Sequence, residues 1–203
     1  MRGRCTGALV APTIVVTAAH CGLIDGVAPD GQPFIVSQRL EFEPRDPLKP
    51  PVSLGAYFKD PAFSGGGNGV PNFATHDLAV VRLFSPLPGP YAQLPSLGLV
   101  DSLNPSTGVV VSGYGFSEIH GNRPSSIGVR TTASAKLAGG GVLGDEFVKV
   151  VGGVCFGDSG GPVLLGDIAL AVNSFAPQPC RSTNYSTRLD TPSARTFLAQ
   201  FGV

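Results

Sequence analysis

The chain has 203 residues, 14 basic and 14 acidic side chains and no net charge. That length can bury a real core in one or two small domains, and the balanced charge leaves no footprint for nucleic acid or an anionic membrane surface. No run is long and apolar enough to cross a bilayer as a helix, and 28 glycines and 19 prolines scattered between short apolar runs predict many turns and an all-β fold.

In chain order, Ala8-Leu9-Val10, a Pro12 turn and Ile14-Val15-Val16-Thr17 read as a tight strand pair rich in β-branched residues. Ala18 to Cys21 reads as a short helical turn. Strands are predicted at Phe34 to Val36, Arg39 to Phe42, Val52 to Phe58 and Leu78 to Leu83, with a glycine-rich surface loop from Ser64 to Phe73. The four prolines between Pro86 and Pro95 mark the connection to a second half. There, strands are predicted at Val109 to Ser112, Val129 to Leu137, Phe147 to Val151, Pro162 to Leu165, Ile168 to Phe175 and Tyr185 to Leu189. Thr191-Pro192 opens a last short helix running to about Phe201.

Four cysteines, Cys5, Cys21, Cys155 and Cys180, allow three pairings. None forms a C-x-x-C and only Cys21 adjoins a histidine, so no metal site is expected. Two local disulfides, Cys5–Cys21 and Cys155–Cys180, are the favoured pairing, each contributing about 3 kcal/mol in the chain-entropy model. Such bonds predict a secreted or periplasmic protein. Met1-Arg2-Gly3-Arg4 leads straight into Cys5 without a signal peptide, so a missing upstream segment or another export route is expected.

The chemistry concentrates in two motifs, Thr17-Ala18-Ala19-His20-Cys21 and Gly157-Asp158-Ser159-Gly160-Gly161-Pro162-Val163. A serine hydroxyl needs a base to take its proton and donors for the oxyanion it creates. His20 is the candidate base, and Asp77, heading the apolar run Leu78 to Leu83, is the candidate orienter of its ring. His76 and His120 compete for the base; His76 would point away from Asp77 on a strand, and His120 lies in a Gly-Asn turn. Gly157-x-Ser159-x-Gly161 also satisfies the elbow of α/β-hydrolases, but that fold places its histidine after the serine, and all three histidines here precede it.

The order His20, Asp77, Ser159, with these motifs and with Val111-Ser112-Gly113-Tyr114-Gly115 and Val172-Asn173-Ser174-Phe175, resembles the chymotrypsin-like (trypsin-type) serine endopeptidases from Cys5 to the C-terminus. The resemblance implies two antiparallel six-stranded Greek-key barrels, 1–95 carrying His20 and Asp77 and 96–203 carrying Ser159, with the active site between them. It implies the same two disulfides, an oxyanion hole of the Gly157 and Ser159 N–H groups, and Ser174 beside Asp77. It also implies a substrate pocket with Gly153 at its base and Val154, Ala176 and Thr183 in its wall, beside the Ser174-Phe175 strand. Without an acid at Gly153, an uncharged apolar or small residue is expected before the scissile bond. Polypeptide substrates, protein protease inhibitors as partners, a monomer and no cofactor complete the expectation.

The chain departs from the family at its start. The freed apolar N-terminus and first barrel strand are absent, so the first barrel is expected to keep an open edge. Asp158 is then a buried carboxylate in want of a cation, with Arg2 or Arg4 as substitutes. A non-catalytic or truncated homologue acting as a binding module is therefore the alternative. The acids between Glu41 and Asp46 read as solvated loop charges rather than a calcium site, and the sequon at Asn184 reads as too close to the pocket to carry a glycan.

Overall fold

The computed structural model describes residues 5–23, 29–42, 46–64, 75–116, 118–120, 123–125, 128–138, 145–176 and 183–203. The first half builds an antiparallel sheet from β1 (Ala8–Ala11), β2 (Ile14–Thr17), β3 (Pro33–Ser37), β4 (Val52–Lys59) and β5 (Ala79–Leu83), in the order β1-β2-β5-β4-β3. Five strands with β1 and β3 at the edges match a six-stranded barrel lacking one strand. A short helix α1 (Leu99–Ser102) follows the proline-rich connection.

The second half closes a six-stranded barrel. Its strands are β6 (Gly108–Gly113), β9 (Thr131–Ala138), β10 (Phe147–Val151), β11 (Pro162–Leu165), β12 (Ile168–Phe175) and β13 (Thr183–Arg188), in the order β10-β13-β12-β11-β6-β9. A small hairpin, β7 (Glu118–His120) with β8 (Arg123–Ser125), stands apart from it. Helix α2 (Pro192–Ala199) ends the chain, its Thr191 hydroxyl accepting the Ala194 N–H as an N-cap and Pro192 at the first turn.

All four residues of β2 are buried because the strand is covered on both faces. Ile14 and Val16 join Leu78, Val80, Val172, Leu189 and the α2 residues Phe197 and Leu198 in a core shared by the two halves. Val15 faces the other way, against Tyr57, Val81 and Leu87. Each such large side chain contributes roughly 1.5–3 kcal/mol on burial, so the shared core fixes one half against the other. A third cluster, from Val109 and Val111 to Val163 and Leu170, fills the closed barrel.

Three sequence expectations need correction. Arg39 to Phe42 is not a strand; Glu41 makes one isolated bridge to Val129, with Phe42 N–H bonded to Gly128 O and Arg130 N–H to Leu40 O. This segment spends its bonds crossing to the second half instead of lengthening the first sheet. The helix at Leu99–Ser102 carries no sequence signal, because its cap is remote: Asp190 accepts the Val100 N–H at 2.7 Å. His120 belongs to β7 rather than a turn. The glycine-rich loop lies outside the described residues beyond Ser64, as do Arg2, Arg4 and Cys180.

Candidate active site

Thr17 of β2 pairs with Ala79 of β5, which brings the chain just after β2 to the same sheet end as the chain just before β5. His20 lies in a 3-10 turn, Ala19–Gly22, directly after β2. Ala18 and Ala19 are fully buried; their small side chains let the turn sink into the sheet. The buried Tyr57 hydroxyl donates to Ala19 O and its ring stacks on Phe34 at 5.1 Å. The Cys5–Cys21 disulfide fixes the far side of the turn.

Asp77, 0% exposed, receives three donors. Its Oδ1 accepts the His20 backbone N–H at 2.8 Å, and its Oδ2 lies 2.8 Å from His20 Nδ1. The Ser174 hydroxyl donates to the same Oδ2. A buried carboxylate needs such partners, and this arrangement puts the ring proton on Nδ1, leaving Nε2 as an acceptor. Burial, the largest single influence on His20, lowers its pKa, but the charge of Asp77 and its hydrogen bond together outweigh it, and the net shift is upward from 6.5. His76, with φ 51°, turns away: its Nδ1 lies 3.2 Å from the Ser193 hydroxyl.

Ser159 sits in the loop between β10 and β11. Its carbonyl accepts the Thr6 N–H at 2.8 Å and lies 3.8 Å from Cys21 Sγ, so the loop docks on the disulfide beside His20. Gly160 makes this docking possible. Its φ is +77°, and a Cβ there would stand 2.1 Å from Thr17 Oγ1 and 2.5 Å from Thr6 O. Among the described residues no hydrogen bond joins the Ser159 hydroxyl to the His20 ring; in free enzymes of this kind that bond is often long.

The loop's backbone donors divide into two sets. Asp158 N–H bonds to Cys155 O, Gly160 N–H to Asn173 O and Gly161 N–H to Asp158 O. Those of Gly157 and Ser159 have no acceptor among the described residues. Asp158 itself is 7% exposed, with its carboxylate oxygens accepting the Gly115 and Cys155 N–H groups at 2.9 Å each. Burial raises its pKa, and these two bonds offset part of the rise. No described cation pairs with it, so two backbone donors hold the place that a basic side chain was expected to fill.

Two residues that sequence reasoning missed hold this loop. Thr6 gives its hydroxyl to Gly157 O, takes the Tyr114 N–H on the same oxygen, and offers its carbonyl to Thr17 Oγ1. Asn173, 1% exposed, bonds through Nδ2 to Asp158 O and accepts from Ser186 Oγ. The one available signal was a polar residue in the apolar run of β12; Thr6 had none beyond its place next to Cys5.

The expected substrate-pocket residues are less tightly gathered. Gly153 is exposed with φ +74°, and a Cβ there would meet Val111 Cγ2 at 2.5 Å and Ala133 Cβ at 2.8 Å, so this backbone accepts no acid. Val154 is buried in the barrel core rather than standing in a wall, with Ala176 half-buried against the same core. Thr183 opens β13 opposite Val151. Phe175 stacks on Tyr185 at 4.6 Å. Asn184 is 1% exposed and its amide donates to Gly152 O, which leaves no room for a glycan. Glu41 and Asp46 are exposed.

Cys155 is disulfide-bonded; its expected mate Cys180 lies outside the described residues. Cys5, His20 and Cys21 lie close enough together to suggest metal ligands, but the two sulfurs are joined at 1.99 Å and cannot serve as thiolates.

Comparison with known proteins agrees with this geometry. The family model described as Trypsin matches residues 1–197. Coagulation factor XII of Cavia porcellus is 29% identical over 187 residues, which cover 81% of this chain and 30% of that protein. The chain thus spans about a third of that relative's length. Among solved structures, HL collagenase superposes with a TM-score of 0.74 at 17% identity, covering 98% of this chain and 86% of that one. Mouse neuropsin, a serine protease, gives 0.70 at 18%, covering 98% and 89%. Human heparin binding protein gives 0.69 at 22%, covering 98% and 85%.

Proposed function

The chain belongs to the trypsin family, and from that premise we propose that it is a serine endopeptidase working through an acyl-enzyme. The observation that carries this reading is the buried Asp77, which collects His20 Nδ1, the His20 N–H and Ser174 Oγ beside a serine loop with two unpaired N–H groups. Ser159 Oγ attacks the peptide carbonyl carbon while His20 Nε2 takes its proton. The carbonyl oxygen gains the negative charge and is held by the Gly157 and Ser159 N–H groups. His20 returns the proton to the leaving amine, and water then releases the acyl group by the same route. Residues 1–95 supply the base and its orienter, and 96–203 supply the nucleophile.

The uncharged Gly153 supports cleavage after apolar or small residues. Chromogenic peptides with Phe, Leu or Ala before the scissile bond are expected to be cut faster than the Arg peptide; an Arg preference would contradict the pocket reading. The disulfides support a secreted or periplasmic setting, with polypeptides as substrates, protein inhibitors as partners and a monomer as the working form.

The decisive experiment is labelling with a fluorophosphonate, which needs an activated serine, followed by peptide mapping. Modification of Ser159 is the expected result. A folded chain that does not react is instead a binding protein on this fold. The pH profile gives a second check. Attack requires neutral His20, whose pKa is raised, so the labelling rate is expected to climb to a plateau with a midpoint above 6.5. In Asp77→Asn both upward influences weaken and burial remains, so the midpoint moves down. An unshifted midpoint would detach Asp77 from the base.

A further inference from the structure

We propose that the cavity behind Asp77 is a binding site for an organic cation, an ammonium or guanidinium group on a flexible chain. The cavity measures about 590 Å³ and lies where the two halves meet; His76 and Leu78, the neighbours of Asp77, line it, while His20 and Ser159 do not. Five carboxylates face it against one guanidinium and one imidazole, although the chain as a whole carries no net charge.

The guanidinium is already committed. Arg188 makes two bonds to Asp101, at 2.7 and 2.8 Å, and two to Asp190, at 2.8 and 3.0 Å. Asp60, Asp145 and Glu146 remain, and among the described residues their one cationic neighbour is His76, whose Nδ1 stands 3.8 Å from the Asp60 carboxylate. Asp60 is 5% exposed, with one oxygen accepting the Ala62 N–H at 2.9 Å. Glu146 accepts the His76 backbone N–H. Its burial, with Asp77 and Asp60 nearby, raises its pKa. The first turn of α2 also faces the cavity, but its fractional positive charge is small beside three carboxylates.

An independent observation points the same way. Thr187 lines this cavity, is 3% exposed, and its Oγ1 is buried without a hydrogen-bond partner. Buried hydroxyls are ordinarily satisfied, and an N–H-bearing cation would supply the missing donor next to the uncompensated acids. A bare metal ion suits the site less. Asp60, His76 and Glu146 do not bring one ligand atom each within 4.8 Å of one another, as Cys5, His20 and Cys21 do, and the volume far exceeds an ion.

Spermidine and a short acetylated lysine peptide, titrated calorimetrically into the intact chain at low salt, test the site. Both are run against Asp60→Asn/Glu146→Gln and against the exposed-site variant Asp145→Asn, with Zn²⁺ alone as a third probe. The expected result is binding that weakens at least about tenfold in the double variant, weakens less in Asp145→Asn, and falls with added salt. Spermidine without the peptide would identify a free polyamine as the source of the cation; the peptide without spermidine would identify a partner's basic side chain. No binding of either organic probe, unchanged affinity in natively melting variants, or binding of Zn²⁺ alone would overturn the proposal. If the double variant fails to fold, unchanged affinity in Asp145→Asn overturns it equally.

Discussion

Replacing Ser159 with alanine is expected to lower turnover about a millionfold while leaving the thermal melt unchanged. The recorded contacts of Ser159 run through its carbonyl, to Thr6 N–H and Cys21 Sγ, so losing the hydroxyl removes the nucleophile and no structural bond. Asp77→Asn is expected to cost about 10⁴-fold. Three donors converge on this carboxylate, and a carboxamide would set an N–H₂ against at least one of them. Setting that group against Nδ1 moves the ring proton to Nε2, where it can no longer receive the serine proton. Single-turnover kinetics on both variants, with circular dichroism as the fold control, separates the two effects. Wild-type rates in Ser159→Ala would place the nucleophile elsewhere, and wild-type rates in Asp77→Asn would remove the orienter.

The largest stability effect is expected at Arg188. Its side chain is 6% exposed and that of Asp190 is 0%, whereas Asp101 is 68% exposed. Removing one member of a buried pair strands the other's charge, at about 3–5 kcal/mol. Arg188→Met should therefore shift the urea midpoint down by that amount, with Asp190 as the stranded group. Adding Asp190→Asn should recover most of the loss, because the charge disappears while an oxygen remains to accept the Val100 N–H now bound at 2.7 Å. The exposed Asp101 should matter little to this balance. A double variant no more stable than the single one would show that Arg188 works through packing rather than charge.

Much of the fold was legible before any coordinates. Phe147–Val151, Pro162–Leu165 and Ile168–Phe175 are strands residue for residue as predicted, because β-branched and apolar runs bounded by turn residues have few other stable conformations. The helix after Thr191-Pro192 follows from capping chemistry that acts within four residues. The residues proposed for chemistry were legible for the same local reason: His20 and Ser159 each sit in a short motif whose neighbours set the backbone.

Interactions between distant residues decided the rest. Thr6 reaches Gly157, Tyr114 and Ser159 across more than a hundred positions, and Asp190 holds the helix at Leu99–Ser102 from ninety positions away. Nothing local predicts either. The acidic cavity is the clearest case: 14 acids and 14 bases cancel along the sequence, and folding alone gathers Asp60, Asp145 and Glu146 while Arg188 is bound to Asp101 and Asp190. Composition fixes the sum of the charges, but Coulomb energy depends on their separation, which only the tertiary fold sets.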